Sequence, residues 1–531
     1  MTHSARDVIV VGAGFAGLYT VHLARSRGLR VEAIEAGDGV GGTWFWNRYP
    51  GARCDVPSME YSFGFDHDLQ RDWEWTERYA TQPEILRYLD HVADRFDLRE
   101  NITLSTRVES CRYDADTRRW EVQASDGMVR TARFLVMATG CLSAANRPDI
   151  PGRDTFAGPV YHTGAWPHQG VDFSRQRVAV IGTGSSAVQS IPLIAEHAEH
   201  LTVFQRTPAY AVPAHNQPLD PAEVAAIKAD YPNWRAGARQ TSTGFGGHLR
   251  RGLTSALAVS DDERAAIYER RWDEGGLVFL GAFTDLMVDP DANQTAAEFV
   301  RSKIAAMVDD PATASALSPS TVIGCKRMCV DTDYYVTFNR DNVSLVDVSS
   351  TPIEAISPTG VVVDGELHEV DAIVFATGFD AMTGALDRID IRGVDGATLR
   401  DTWSAGPVSY LGLQVAGFPN LFTITGPGSP SVLTNMVVAI EQHVELVADL
   451  IDEVSRRDAS SVEAVGEAQA GWVEHVNLVA SLTLFQGCSS WYLGANVPGK
   501  PRVFMPLPGF PEYKQICDQV VAAGYDGFRF V

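Results

Sequence analysis

A chain of 531 residues is too long for one hydrophobic core, so two or three domains are expected. Its formal net charge of -23 repels phosphate backbones and anionic lipid, which argues against nucleic acid or a membrane surface as partner. With 45% hydrophobic and 21% charged residues the composition is that of an ordinary globular protein, and no apolar run is long enough to span a bilayer.

The seven cysteines (Cys54, Cys111, Cys141, Cys325, Cys329, Cys488 and Cys517) are scattered, odd in number and without a Cys-x-x-Cys pair. They predict reduced thiols in a cytoplasmic protein. Cys325 and Cys329 lack a second pair at zinc spacing and read as packing residues. The start, MTHSARDVIVVGAGFAG, has an apolar run too short and wrongly flanked for a signal peptide.

Asp7–Val11 reads as a buried parallel strand, followed at once by GAGFAG and an apolar-periodic helix to about Gly28. Gly12 allows the tight turn, Gly14 lets the backbone approach a pyrophosphate, and Gly17 lets helix and strand pack closely. The helix N-terminus offers free N–H groups to phosphate. Val31–Ile34 is the next strand, and Glu35 follows 18 residues after Gly17, the spacing of a ribose-binding acid. Gly41–Asp55 (GGTWFWNRYPGARCD) then supplies Trp44, Phe45, Trp46 and Tyr49 as flat surfaces for a flavin or adenine ring.

Pro83–Phe96 predicts a helix. Ile102–Val108, Trp120–Ala124 and Val129–Ala132 predict a small meander, and Arg133–Gly140 (RFLVMATG) a strand returning to the parallel sheet. Phe156–Pro167 (FAGPVYHTGAWP) comes next, read as a linker into a second domain. Arg177–Ile181 and GTGSSA repeat the strand and glycine turn, with Ala187 at the third glycine position and Thr183, Gly184, Ser185 and Ser186 at the helix start. The following strand, Leu201–Gln205, ends in Arg206, which attracts a 2′-phosphate where an acid would repel it. The second turn therefore predicts NADPH, and the first, by its position, FAD.

Pro221–Ser320 reads as helices interrupting the second domain, and Thr241–Gly252 (TSTGFGGHLRRG) as a mobile glycine-rich stretch. Ala372–Asp380 (AIVFATGFD) mirrors RFLVMATG and closes the second domain. Phe418–Met436 reads as strand, loop and helix start, leading into a long helix, Val437–Leu450. The organisation is α/β, with two Rossmann-like domains and a helical insertion. The expected parts are 1–150 (FAD, first), 151–220 (NADP, first), 221–324 (insertion), 325–380 (NADP, second) and 381–531 (FAD, second).

The string Phe156-x-Gly158, His162, Trp166-Pro167 resembles the fingerprint of type I Baeyer–Villiger monooxygenases. GGTWFWNRYPGARCD, KRMCVDTDYYVTFNRDNV and SWYLGANVPGK resemble further strings of that family, and PSVLTN (Pro430–Asn435) is similar to the longer loop of phenylacetone and steroid monooxygenases. The resemblance covers nearly the whole chain. It implies a cycle in which NADPH reduces FAD, dioxygen forms a flavin peroxide, and attack on a ketone gives a tetrahedral adduct and then an ester or lactone. It assigns Gly42 and Tyr61 to the flavin, and Thr43, Arg53, Val108 and Met436 are further cofactor-binding candidates. Thr207, Lys326 and Trp491 are assigned to the nicotinamide coenzyme. Arg327, held by Asp55, becomes the catalytic cation, while His162 is expected to couple the linker to domain movement. The longer loop favours aryl, linear or bulky cyclic ketones. A ketone and O2 are the partners, with no obligatory protein partner. The alternative is an N-hydroxylating or sulfide-oxidising flavin monooxygenase, and a disulfide reductase is disfavoured because no cysteine pair follows the first glycine turn.

Overall fold

The computed structural model describes residues 5–249, 251–500, 507 and 509–531. Met1–Ser4, where the signal-peptide reading begins, and Arg250 of the glycine-rich stretch lie outside them. Two sheets organise the chain, the first mixed and the second parallel. The first starts with β1 (Arg6–Val11), whose Val8, Ile9 and Val10 are fully buried because layers cover both faces. After α1 (Phe15–Ser26) come β2 (Val31–Ile34), β3 (Ile102–Thr103), β4 (Val108–Asp114), β5 (Arg119–Ala124) and β6 (Val129–Met137). The second sheet uses β7 (Val160–His162), β8 (Arg177–Ile181), α2 (Ser185–His197), β9 (His200–Gln205), β10 (Val343–Asp347) and β11 (Ala372–Phe375). The chain then returns to the first sheet with β12 (Asp390–Arg392) and β13 (Leu421–Thr423), and the 21-residue α3 (Met436–Arg456) packs on α1.

The first sheet runs β12-β4-β5-β6-β1-β2-β3, with β13 also paired to β6; the second runs β10-β9-β8-β11-β7. In both, the glycine turn follows an inner strand and opens onto the carboxyl ends of the parallel strands, where ligands of such sheets bind. Each sheet buries its own core, with Val8, Phe134 and Val444 in one and Val180, Leu201 and Val374 in the other.

Several expectations are corrected here. The meander strand is Val108–Asp114 rather than Ile102–Val108, and Ile102–Thr103 instead extends the parallel sheet beside β2. Val129–Met137 is one continuous strand, antiparallel to β5 at its start and parallel to β1 beyond, so meander and return strand are one element. The Phe156–Pro167 string is not a free linker: Val160–His162 is the edge strand beside β11, and Trp166 is buried in the second core. The insertion is divided between the two cores. Tyr231 and Trp234 pack with the first domain, while Tyr268, Phe279 and Phe299 pack with the second. The stretch from Thr241 is tied down, since Gly246 N–H donates to the Glu60 carboxylate (2.7 Å) and Asn435 N–H to the Thr243 carbonyl (2.7 Å). Finally, Cys325 is not a free packing thiol; it forms a disulfide with Cys488 (Cα–Cα 6.0 Å).

Candidate active site at the junction of two nucleotide turns

At the first turn Gly12 has φ +107°, and a Cβ there would come within 2.5 Å of the Ala138 carbonyl oxygen; at Gly17 it would meet the Gly12 carbonyl at 2.0 Å. Only glycine allows helix and strands this close. Gly42 closes over the turn: its added Cβ would lie 2.9 Å from Gly14 Cα. Gly14 is the N-cap of α1 and no side chain caps the helix, which leaves its first N–H groups to an anion. Glu35 is buried, accepting from Ala13 N–H (2.8 Å) and Gly37 N–H (2.8 Å), and burial raises its pKa. Val108 begins β4 at an irregularity in its pairing with β5.

The aromatic loop does two jobs. Thr43–Trp46 is a short helix in which Trp44 is buried and donates to the Tyr61 hydroxyl (3.2 Å), while Trp46 is half-buried. Phe45 is not a resting surface for a ring; it fills the space under Gly37 and Gly39, where a Cβ would come within 2.7 and 2.8 Å of it. Tyr49–Arg53 docks on α2 of the other domain. The Tyr49 hydroxyl donates to Gln189 Oε1 (2.8 Å), and Gln189 Nε2 donates to the Arg53 carbonyl (3.1 Å). The Arg53 guanidinium turns to Glu77 (3.2 Å). Gln189 carried no signal in the sequence beyond its place on a helix.

The second turn repeats the first. Gly182 has φ +112° with the Ala376 carbonyl 2.5 Å from its would-be Cβ, and Gly184 is the N-cap of α2, again without a side-chain cap. Here no described residue covers it: a Cβ at Gly184 meets none of them within 4 Å. Thr183 donates to the Thr207 carbonyl (2.8 Å), Ser185 Oγ lies 3.5 Å from the Cys329 sulfur, and Ser186 shares a hydrogen bond with Thr163 (3.1 Å). Exposed Arg206 and half-buried Lys326 are brought together; burial and the Arg206 charge lower the lysine's pKa. Two like charges gathered beside an uncapped helix start are suited to a phosphate. Both turns thus fit a dinucleotide.

Between the turns stands Arg327. Its Nε and Nη2 donate to the two Asp55 oxygens (2.8 and 2.7 Å), a planar fork, and Nη1 donates to the Val432 carbonyl (2.9 Å). Burial opposes the charge, but Asp55 and the Tyr492 hydroxyl hold the arginine's pKa well above its ordinary value. Asp55 ends the aromatic loop and Val432 lies in the Pro430–Asn435 loop, just before Met436 opens α3. Tyr492 escaped the sequence reading although it follows Trp491 directly; the two rings lie 4.4 Å apart. Trp491 is half-buried and packs with Val432 and Phe485.

His162 ends β7. Gly164 N–H donates to its Nδ1 (2.9 Å), so the proton sits on Nε2, which faces the Asn146 carbonyl (3.2 Å) and the Thr377 hydroxyl (3.4 Å). Asn146 and Thr377 lie on the two chain crossings between the sheets. Burial lowers the His162 pKa, favouring a neutral ring. A surface cleft of about 550 Å³ beside Arg6, Arg30 and Glu32 lies at the opposite ends of β1 and β2, away from this chemistry.

Two dinucleotide turns in separate sheets, with a carboxylate-held arginine between them, define an FAD- and NADP-dependent oxidoreductase. A pyridine nucleotide-disulphide oxidoreductase family model matches residues 9–229. The chain is 42% identical over 524 residues to a Baeyer–Villiger monooxygenase of Pseudooceanicola batsensis, covering 98% of this chain and 95% of that protein. It is 41% identical over 527 residues to a phenazine N-monooxygenase of Lysobacter antibioticus, covering 98% and 96%. A solved oxidised steroid monooxygenase bound to NADP superposes with a TM-score of 0.95 at 52% identity, covering 99% of this chain and 100% of that one. The chain belongs to the Baeyer–Villiger monooxygenase family, and it is an NADPH-dependent FAD monooxygenase. Among the described residues no helix is long and apolar enough to cross a membrane.

Proposed function

We propose that Arg327 is the fixed cation that stabilises the oxyanion formed when a ketone is oxygenated to an ester or lactone, and that Asp55 aims it. The observation that carries this reading is the Asp55–Arg327 fork at the junction of the two nucleotide turns. When bound, FAD supplies dioxygen activation and NADPH supplies the hydride. The Gly12–Gly17 turn, Glu35 and the Gly42–Tyr61 segment with Arg53, Val108 and Met436 would hold FAD. Thr183–Ser186, Arg206, Thr207, Lys326 and Trp491 would hold NADPH.

An arginine suits the junction because it keeps its proton at any working pH. Of its five N–H donors, three go to Asp55 and the Val432 carbonyl. A further contact reaches Tyr492. In this role the guanidinium meets developing negative charge in a partly shielded site, its side chain being 22% exposed. His162, with both ring nitrogens engaged and its pKa lowered, positions the crossings rather than moving a proton.

The favoured substrates are aryl, linear or bulky cyclic ketones. Support comes from the Pro430–Asn435 loop, which contributes both a carbonyl to Arg327 and an apolar side chain, and from the similarity to a steroid monooxygenase. O2 is the second substrate, and the acidic surface speaks against nucleic acid or an anionic membrane as partner. No obligatory protein partner is invoked, and the compartment proposed is the cytoplasm, where NADPH is regenerated. The phenazine N-monooxygenase relative favours a second reading, oxidation of a ring nitrogen. Both are tested by NADPH oxidation over a panel from cyclopentanone to a steroid ketone, with phenazine added and products identified. Ester or lactone formed in proportion to NADPH supports the first reading; N-oxide alone supports the second and overturns the first.

A further inference from the structure

The 484–500 segment touches the junction at several points. Leu484 N–H donates to the Met287 carbonyl (2.8 Å), and Gly487 lies against Val322, which its added Cβ would meet at 2.9 Å. Beyond it, the Asn496 side chain donates to the Phe379 carbonyl (2.7 Å), and Lys500 pairs with Asp380 and donates to the Ala381 carbonyl (3.1 Å). Between these anchors come Trp491 and Tyr492. All of these contacts are non-covalent and individually modest. One further link is covalent: Cys488, near the start of the segment, is bonded to Cys325, the residue immediately before Lys326 and Arg327. The other five cysteines are free.

The two sulfurs differ in access. Cys325 is fully buried, whereas Cys488 is half-buried between exposed Gln486, Gly487 and Ser489. A dissolved thiol therefore reaches Cys488 first. We propose that Cys325–Cys488 is a redox-reversible tether that keeps Trp491 and Tyr492 on the coenzyme and Arg327 side of the junction. Breaking it leaves the segment held by its weak contacts alone. The inference uses the assignment of Arg327 and Trp491 made above, but the tether itself is read without it.

The exchange is balanced for a dithiol reductant. One reductant thiolate attacks the Cys488 sulfur, the sulfur–sulfur bond breaks, and Cys325 leaves as a thiolate that takes up a proton. The second reductant thiol then displaces Cys488 as a thiol, and the reductant departs as its own disulfide, having given up two electrons. Reclosure needs a two-electron oxidant such as hydrogen peroxide. One thiolate attacks a peroxide oxygen to give a sulfenic acid, the other thiol displaces it, and two waters leave for each disulfide formed.

The test uses the full-length, FAD-loaded enzyme. It is alkylated with iodoacetamide under denaturing conditions before and after dithiothreitol, digested and mapped by mass spectrometry. A linked Cys325–Cys488 peptide before reduction, and two alkylated peptides after it, is the expected result. Limited proteolysis of the native enzyme with chymotrypsin then follows cleavage after Phe485, Trp491 and Tyr492. Reduction should speed that cleavage about tenfold or more, and peroxide should restore the slow rate. Cys488→Ser should cleave at the fast rate with or without dithiothreitol. Two alkylated thiols even after peroxide treatment would overturn the linkage. A linked peptide whose reduction leaves cleavage unchanged would overturn the tether. Neither readout depends on ketone turnover, so an enzyme that oxidises no ketone but passes both tests refutes the functional reading and spares this one.

Discussion

The two glycine turns share a backbone and differ in what surrounds it. Gly12 and Gly182 have φ of +107° and +112°, and each presses on the carbonyl of its returning ATG strand at the same would-be distance, 2.5 Å. Yet Gly42 covers Gly14, while none of the described residues covers Gly184. The acid after β2 is buried on its own turn, whereas the arginine after β9 is exposed beside a lysine. The first turn is built into the protein and the second is left accessible. That is the difference expected between a resident cofactor and a coenzyme that exchanges. The Arg327 guanidinium, held by the Asp55 carboxylate and the Val432 carbonyl, belongs to neither turn.

The largest effect should come from that junction. Arg327→Ala should cut ester formation at least roughly 10²-fold, because one stabilising charge is lost. FAD should stay bound and NADPH should still be consumed, giving hydrogen peroxide. Arg327→Lys should rescue only in part, since an ammonium lacks the planar fork, and Asp55→Ala should show a milder defect. Ester formed per NADPH is the measurement, and wild-type yield from Arg327→Ala would remove it from the mechanism.

The symmetry of the turns can be broken next. Gly12→Ala and Gly182→Ala both place a Cβ against a carbonyl at positive φ, so each should damage its own site. Gly12→Ala should purify with little yellow colour. Gly182→Ala should keep its flavin absorbance and raise the NADPH Michaelis constant, and loss of FAD from both variants would erase the distinction. Arg206→Ala should raise that constant about tenfold, from loss of one charge-assisted contact, with NADH hardly affected. Equal losses for both coenzymes would undo the assignment of the second turn.

The smallest effect concerns the crossings. His162→Ala should slow ester formation a few-fold without removing an ionisation from the pH–rate profile. Its stability effect has a definite sign. The buried ring binds its proton more weakly than it does unfolded, so the unfolded chain takes up the extra proton and stability falls as pH drops below about 6.5. In His162→Ala that part of the acid sensitivity should be absent from thermal melts between about pH 5 and 7.

The repeated strand–turn–helix units were legible because a glycine turn is a local object: its spacing and its required φ belong to a dozen consecutive residues. For the same reason Glu35 and Arg206 could be picked out as candidates from position alone, whereas the Lys326–Arg327 pair was singled out by its resemblance to a family string. Residues whose meaning is a contact between distant segments were not legible. Gln189 is an ordinary helical residue until Tyr49 and Arg53 arrive on it from another domain. Tyr492 and the Val432 carbonyl matter only because 484–500 and 430–435 converge on Arg327. His162 read as a linker residue because three residues of edge strand leave no periodicity to detect.

By itself, then, the sequence determined the two-turn architecture and the choice of coenzymes, both of which are written in short strings with strict local geometry. Tertiary structure alone decided which turn is covered, which helices of the insertion serve which core, and that Cys325 meets Cys488 across 163 residues. Spacing cannot predict such a meeting, because a disulfide depends on where two backbones pass within about 7 Å of each other.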